Sequence, residues 1–545
     1  MPKRLAITIA GAVSLGSFEA GVLFEILSAL KRHNQDPDTA ADERIEVDVL
    51  TGASAGGMTA TIAAQRLMFD AASLDGAYQN CFYDPWVVDV NLDGLLALQR
   101  GEDPALSIFS SNFVEDISRK YLTQRYDSNA PLEAVHHPAA ANTLRLGLAL
   151  SNLNGVNYSR PTYPSGSFNY TRYQDQMCAL ITSGSAQDTR DFWEPLRNTA
   201  VSCGAFPFAF RMKELTRHKN EYPGADPAGF PSDPMQFLYT DGGVFQNEPL
   251  GMAKNFVDEI DEHLDVDSRF YLFVSPGLRG ATANLAFTEQ DANYKGAAIT
   301  LAKSVFEQSR FHDWITAEGV NDQVDLFNQR AEALKNAFLA NRVSSQELGV
   351  VASQILPLFF DPKDATQAAL QTAAEERLKL QFSSEYAALN AARPAAAEAW
   401  IKSVLVFETA AGLGERDEMY ICAITADSSE LASSGISAFL GFFDQAYRDH
   451  DYDVGRTKAQ EFLGNPPAAL KPIHWSPAEP IRAIDHALDG LKLQDVDASK
   501  RKEFRDRLRA RAHDIMEEMG VPTALVREAI DVAFVRPQLD KLLML

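Results

Sequence analysis

A serine in a sharp turn is the residue of this chain whose surroundings predict chemistry most directly. Ser54 stands in a GxSxG pattern formed with Gly52 and Gly56, with alanine at both variable positions. Small neighbours let the backbone turn sharply between a strand and a helix, which exposes the serine hydroxyl. The free N–H groups at the helix start favour negative charge as it develops there. The pattern predicts a nucleophile elbow, although a turn without chemistry has the same composition.

A carboxylate later in the chain could activate this serine. Asp241 follows the apolar segment 237–239 and precedes Gly242 and Gly243. If that segment is a strand, the carboxylate lies at the sheet edge where Ser54 also emerges. A carboxylate can take the proton of a serine hydroxyl within about 2.6 to 3.2 Å if desolvation raises its pKa.

A conventional triad is the alternative, because serine hydrolases of the α/β class carry the order Ser, acid, His. None of the histidines after Asp241 lies in a distinctive loop. They are His263, His312, His450, His474, His486 and His513. The neighbours His136 and His137 suggest a metal only weakly, since no other ligand cluster accompanies them, and we expect no metal or organic cofactor.

A βαβ unit would place Ser54 at a sheet edge. Residues 5–10 read as a strand, 11–17 as a glycine-containing loop and 18–33 as an apolar helix. The segment 46–50, with its apolar Val47, Val49 and Leu50, then reads as a buried strand. This order is typical of parallel strands, whose carboxyl ends bind ligands. Further strands are predicted at 144–153, 237–239, 268–277 and 419–425, which together indicate an α/β/α domain with three layers and a mostly parallel sheet.

The pattern changes at about residue 281, where long helical periods take over. We therefore predict an α/β domain over residues 1–280 and a mainly helical region, packed on that core, over 281–545. The strand predicted at 419–425 interrupts the helical region and is a candidate for a return to the sheet. No repeat or low-complexity linker separates the two parts.

The charge balance excludes one class of partner. The 545 residues include 74 acidic and 50 basic side chains, which gives a net charge of −24. Nucleic acids are bound through clustered Lys and Arg, so this balance argues against nucleic acid. Cys81, Cys178, Cys203 and Cys422 are far apart and show no CxxC spacing. Free thiols in a reducing compartment are the simpler interpretation, and we expect a cytoplasmic location.

The N-terminus imitates a secretory signal, because Lys3 and Arg4 precede an apolar run. We reject that interpretation, since cleavage would remove the loop at 11–17 and Glu19 interrupts the run. We also find no run that approaches the ~18 to 20 apolar residues of a membrane span.

Three segments allow two interpretations each. Phe206, Pro207, Phe208 and Phe210 are either core residues or the wall of an acyl pocket. The aromatic segment 81–98 is either packed cover over the sheet or an apolar lid. The basic segment 498–519 is either a solvated helix packed on the core or an interfacial helix that contacts anionic lipid.

Three motifs occur in chain order: a glycine-containing loop at 11–17, GxSxG at 52–56 and Asp-Gly-Gly at 241–243. In this order they resemble the patatin-like phospholipase family, and the resemblance covers residues 1–280 well. The segment AVSCGAFPFAF at 200–210 and the NEP turn at 247–249 are similar to the family. Residues 442–463 are similar, less specifically, to a stretch of its bacterial members.

The resemblance implies a role for each motif. Ser54 would be the nucleophile and Asp241 its only partner. Backbone amides would form the oxyanion hole, and glycines would support the three motifs. The amides are those of Gly11, Ala12, Val13 and Ala55, and the glycines are Gly16, Gly52, Gly56, Gly242 and Gly243. The loop departs from the family pattern, because it lacks the basic residue and has alanine and valine in place of two glycines.

The resemblance implies a serine lipid acyl hydrolase of the phospholipase A or lysophospholipase type. It would cleave phospholipids or other lipid esters through an acyl-enzyme. The alternatives are a catalytically silent lipid-binding or scaffold protein, and an acyltransferase that uses the same dyad. Contact with lipid would be peripheral, and the sequence names no protein partner.

Overall fold

The structure is a computed structural model. It describes residues 2–128, 134–161, 167–225, 230, 232–260, 269–277, 287–289, 294–411, 421–466, 473, 475–477, 479–518, 520–521 and 523–542. Within these residues eight strands form one sheet. They are β1 (Lys3–Ile9), β2 (Ile45–Gly52), β3 (Ala140–Pro161), β4 (Ser167–Thr182), β5 (Lys213–Arg217), β6 (Met235–Asp241), β7 (Arg269–Ser275) and β8 (Ile421–Thr425).

The sheet is mixed. Its strand order is β5-β6-β3-β2-β1-β7-β8, and β4 pairs with β3 off this path. The pairs β1–β2, β2–β3 and β7–β8 are parallel. The pairs β3–β4, β3–β6 and β5–β6 are antiparallel. The predicted α/β architecture is confirmed, with antiparallel strands added beside β3.

Helices flank the sheet and continue through the second half of the chain. They are α1 (Gly16–Gln35), α2 (Ser54–Phe69), α3 (Leu92–Leu96), α4 (Ser111–Leu122), α5 (Arg190–Cys203), α6 (Leu250–Ile260), α7 (Tyr294–Leu339), α8 (Ser345–Ile355), α9 (Ala365–Gln381), α10 (Ser383–Ala392), α11 (Pro394–Ala411), α12 (Gly435–Ala438), α13 (Gln445–Gly464), α14 (Ala498–Glu518), α15 (Ala524–Ile530) and α16 (Arg536–Leu542).

The helix at the N-terminus belongs to the core. Among the described residues, Val13–Gln35 is the one helical segment long and apolar enough to cross a membrane by length and composition, and 89% of its most apolar window is buried. It packs on α13, where a Cβ on Gly21 would lie 2.1 Å from the Tyr452 carbonyl oxygen. A Cβ on Gly455 would lie equally close to the Phe18 carbonyl oxygen, at 2.1 Å. The two glycines therefore allow the helices to approach closely.

The chain divides into two compact units. The first contains Met1–Ala253, Phe270–Asp313 and Ile421–Leu545, and the second contains Lys254–Arg269 and Trp314–Tyr420. The second unit has its own apolar core, in which Trp400 is fully buried. The units do not follow the predicted boundary at residue 280, because β8 pairs with β7 and so returns the C-terminal segment to the first unit. The four cysteines are free, as predicted.

A buried ion pair joins α1 to α13. The guanidinium of Arg456 lies 2.7 Å from the Glu25 carboxylate, and the two side chains are 0% and 2% exposed. Arg456 also donates to the Glu479 carbonyl at 2.8 Å. Breaking such a pair from one side leaves a buried charge without its partner.

Arg456→Met should lower the free energy of unfolding by about 3 to 5 kcal/mol, because Glu25 would remain buried without a cation. Urea unfolding followed by circular dichroism measures this. Arg4→Met is the matched control, since the ion pair of Arg4 with Glu46 is partly solvated, at 26% and 24% exposure. That control should cost about 1 kcal/mol or less. Equal losses in the two variants would contradict a structural role for the buried pair.

Candidate active site

Ser54 lies at a strained corner between β2 and α2. Its backbone φ is +52°, a left-handed value that is uncommon outside glycine. The glycines of the motif make the corner sterically possible. A Cβ on Gly52 would lie 2.4 Å from the Gly56 carbonyl oxygen, and one on Gly56 would lie 2.3 Å from the Ala10 carbonyl oxygen. The corner has the geometry predicted for a nucleophile elbow.

The structure brings Ser54 and Asp241 together. The Ser54 hydroxyl donates to Asp241 Oδ2 at 2.7 Å. The other carboxylate oxygen accepts the N–H of Gly243, also at 2.7 Å. The backbone of Asp241 is held on both sides, since its N–H donates to the Ala205 carbonyl and its carbonyl accepts the Ser151 hydroxyl. The pair is therefore oriented before any substrate binds.

The environment of the pair changes its acid–base properties. Asp241 is 1% exposed and Ser54 is 7% exposed. Burial raises the pKa of Asp241 to about 7, while the hydrogen bonds from Ser54 and from the Gly243 amide act in the opposite direction. A base is most effective when its pKa is near the working pH.

Any ester hydrolysis by this pair should therefore lose efficiency below about pH 7. Protonated Asp241 cannot take the Ser54 proton, so kcat/KM should fall about tenfold per pH unit well below the pKa of the carboxylate. A soluble short-chain ester, assayed from acid to alkaline pH with the fold monitored by circular dichroism, gives this profile. A limb with an apparent pKa near 4, the ordinary value of a carboxylate, would contradict the raised pKa of Asp241.

The glycine-containing loop passes directly beside the serine. A Cβ on Gly11 would lie 3.0 Å from Ser54 Cβ and 2.1 Å from Asn247 Oδ1. The Gly11 N–H donates to the Asn247 carbonyl at 3.0 Å, and Asn247 Nδ2 donates to the Gly11 carbonyl at 3.2 Å. The Gly11 N–H therefore already has an acceptor, the Asn247 carbonyl, whereas the sequence predicted it as a donor to the oxyanion. Within the described residues, the amides of Ala12, Val13 and Ala55 have no recorded acceptor.

Val13 explains how the loop turns without the family's glycines. Its φ is +54°, which is rare for a β-branched residue and costs of order 1 to 3 kcal/mol. Tertiary contacts hold the next residue, because the Ser14 hydroxyl donates to the Ala438 carbonyl. The chain also passes close at Gly441, where a Cβ would lie 2.6 Å from Ser14 Oγ.

The segment 432–441, which contacts the glycine-containing loop at Ser14, is itself held by α13. The buried carboxylate of Asp451 accepts the N–H groups of Ala432 at 2.7 Å and Ser433 at 3.1 Å. Arg448, also buried, donates to the carbonyls of Gly441 and Val87. Both anchors come from the stretch 442–463, whose role the sequence alone did not indicate.

Two further residues support the site without a signal in the sequence. Ser309 of α7 donates its hydroxyl to the Gly243 carbonyl at 2.7 Å, and its own carbonyl accepts the Asn247 N–H at 3.4 Å. The buried thiol of Cys203 lies 3.9 Å from the Gly52 carbonyl, behind the elbow. Gly57 leaves room for it, since a Cβ there would lie 2.4 Å from the sulfur.

An apolar cavity of about 100 Å³ adjoins the serine. Phe206 and Phe210 line it, whereas Phe208 is 80% exposed and lies outside the lining. The segment 81–98 forms another part of the wall. The lining also includes Val13, Ser54, Ala55, Met58, Ile62, Pro85, Trp86, Val90, Leu95, Val114, Ile117, Ser118, Tyr121, Leu122, Ala200, Val201, Gly204, Phe439 and Phe442. Gly16 is needed here, since a Cβ on it would lie 2.7 Å from the Trp86 ring.

The described histidines do not complete a triad. His450 lies 3.0 Å from the Glu430 carbonyl, and His486 lies 2.9 Å from Asp489. His513 lies nearest to acidic groups of the C-terminal helices. His263 and His474 and the side chain of His312 are outside the described residues. Within the described part of the chain, Asp241 is therefore the ionisable partner of Ser54.

The paired histidines predicted as a weak metal signal have other partners. His136 Nε2 lies 3.1 Å from the Ala141 carbonyl, and His137 Nδ1 accepts the Ala139 N–H at 3.1 Å. Burial lowers the pKa of His137 to about 3, so this ring is neutral. A neutral buried ring hydrogen-bonded to its own turn is a structural residue.

The elbow serine and the buried carboxylate thus meet on the mixed sheet of an α/β domain. Residues 7–254 match the family model for patatin-like phospholipase. The resemblance predicted from the sequence is confirmed over these residues, which form a patatin domain. At the level of the family, the match supports a lipolytic hydrolase that acts on lipids.

A curated relative extends the comparison. The uncharacterized protein y4iI of Sinorhizobium fredii is 23% identical over 331 residues, which cover 46% of this chain and 45% of that protein. The chain thus spans less than half the length of that relative. The comparison is one of sequence and brings no substrate with it.

Proposed function

We propose that this protein is a serine lipid acyl hydrolase of the phospholipase A or lysophospholipase type. The observation that carries the proposal is the 2.7 Å hydrogen bond from Ser54 to Asp241 beside an apolar cavity. An acyl chain would bury its apolar surface in that cavity, and the ester carbonyl would lie next to the serine. A buried apolar site of this kind is typical of lipid binding.

The reaction follows from the positions of these groups. As Ser54 Oγ attacks the ester carbonyl, the Asp241 carboxylate takes its proton. The amides of Ala12, Val13 and Ala55 are the donors available for the oxyanion. When the tetrahedral intermediate collapses, Asp241 gives the proton to the leaving alcohol and the acyl group stays on Ser54.

Water completes the cycle. Asp241 takes a proton from a water molecule that attacks the acyl-enzyme, and then returns it to Ser54 Oγ as the fatty acid leaves. The nucleophile and the base are both side chains of this chain, so the steps need no cofactor. We also propose that the protein acts in the cytoplasm, where its four free thiols would remain reduced.

Labelling with a fluorophosphonate probe, followed by mass spectrometry, tests the nucleophile and the activity together. We expect one adduct, on Ser54, and release of free fatty acid from phospholipid or lysophospholipid substrates. A reactive serine elsewhere would contradict the assignment. No adduct and no fatty acid would indicate a silent lipid-binding protein, and acyl esters of an added alcohol would indicate a transferase.

A further inference from the structure

The basic helix α14 has little uncompensated charge. Lys500 lies 2.5 Å from Asp444, and Arg507 lies 2.6 Å from both Asp93 and Glu503. Arg505 pairs with Asp540 at 3.0 Å, and Arg509 pairs with Asp531. Cations already paired with carboxylates attract an anionic surface weakly. The structure therefore favours a packed helix over the interfacial helix that the sequence allowed.

A different surface combines two exposed arginines with an exposed phenylalanine and two half-buried tyrosines. Beyond a bulge between Ser151 and Val156, β3 and β4 continue as a two-stranded hairpin, here called the aromatic arm (residues 156–161 and 167–173). The arm continues from the part of β3 that passes the candidate site, since Leu150 of β3 pairs with Asp241 and the Ser151 hydroxyl donates to the Asp241 carbonyl.

One face of the arm carries two exposed arginines and three aromatic rings, whereas Val156 at its base is buried and Tyr158 is half-buried against the core. The cross-strand pairs are Val156 with Arg172, Tyr158 with Tyr170 and Arg160 with Phe168. Because side chains two residues apart share a strand face, all six lie on the same side. The Tyr158 and Tyr170 rings stack at 5.6 Å, and Phe168 stacks on Tyr170 at 5.9 Å. Phe168 is 61% exposed, so most of its ring faces solvent.

The charge of the arm differs from that of the rest of the protein. The chain has 74 acidic residues among 545, yet none occurs from 151 to 174. Arg160 and Arg172 are both exposed, and neither has a recorded ion pair within the described residues. The arm is thus a local positive and aromatic surface on a protein of net charge −24.

We propose that the aromatic arm docks this protein on an anionic lipid surface. Aromatic rings favour the interfacial region of a membrane, and exposed arginines are attracted to anionic lipid. Docking through the arm would bring the sheet edge that carries Asp241 close to the lipid. The proposal goes beyond hydrolysis, because binding requires no turnover.

Vesicle sedimentation of the full-length chain tests the proposal. All proteins carry Ser54→Ala, so that turnover cannot change the lipid, and the vesicles are phosphatidylcholine alone or mixed with phosphatidylglycerol. We expect binding to the mixed vesicles, weakened by salt. Arg160→Gln combined with Arg172→Gln should weaken it about tenfold or more, and Phe168→Ser should weaken it further.

The matched control is Arg505→Gln combined with Arg507→Gln, which removes the same charge from α14 and should leave binding near its starting value. Circular dichroism checks the fold of each variant, and turnover of a soluble short ester, measured with Ser54 restored, should be unchanged by the arm variants. Undiminished binding by the arm variants, or equal loss in the α14 control, would overturn the proposal. The proposal would also be overturned if the Ser54→Ala protein bound neutral and anionic vesicles equally, or if it bound neither. If the wild-type protein did not hydrolyse the soluble ester at all, that result would instead contradict the proposed hydrolase function.

Discussion

Ser54→Ala should abolish ester hydrolysis while the protein remains folded. The substitution removes the proposed nucleophile, and a serine nucleophile in comparable hydrolases is worth about 10⁶ in kcat. An alanine meets the same backbone restraint at φ +52° as the serine does, so the corner should persist. Initial rates on a micellar lysophospholipid and on a soluble ester measure the effect.

A serine that lines the same cavity provides the matched control for this prediction. Ser118 of α4 is part of the lining, and its hydroxyl donates to a carbonyl of its own helix. Ser118→Ala should therefore keep most of the activity. Retention of most activity by a pure, folded Ser54→Ala sample would instead show that the elbow serine is not the nucleophile.

Asp241→Asn should cost several orders of magnitude in kcat. An asparagine oxygen could still accept the Gly243 N–H, so the local geometry can be kept, but an amide cannot take the proton of Ser54. No single replacement of a histidine by alanine should match that loss. The comparison is made by assaying Asp241→Asn in parallel with His450→Ala, His486→Ala and His513→Ala. The remaining histidines are replaced by alanine and assayed in the same way. One histidine whose removal equalled the loss at Asp241 would favour a triad.

The same variant should change stability in a pH-dependent way. Burial raises the pKa of folded Asp241 to about 7, above the ~3.9 of an unfolded aspartate, so ionising this group disfavours the folded state. The stabilising contribution of the protonated form is complete below about pH 4 and is lost as pH rises through about 7. The Tm of Asp241→Asn minus the Tm of wild type should therefore be larger at pH 8 than at pH 5. A gain that did not grow with pH would contradict the assigned pKa.

Local patterns were sufficient to predict the elbow and its neighbours. The GxSxG motif predicted the turn, and the structure has β2 ending at Gly52 and α2 beginning at Ser54. Sterics explain this success, because small residues determine a tight strand-to-helix turn within a few positions of sequence. The order of the three motifs also indicated the family, which the match over residues 7–254 confirms.

Long-range packing decided the features that periodicity cannot report. The Gly11 amide is occupied by Asn247, and Ser14 beside Val13 is held by Ala438, although these partners are distant in sequence. The positive charge of α14 was visible in the sequence, but acidic partners such as Asp444 and Asp540 come from other segments. Side-chain period predicts which face of an element is apolar, whereas the identity of each partner depends on how the elements pack. Hydrogen bonds and ion pairs across the fold are therefore set by the tertiary structure.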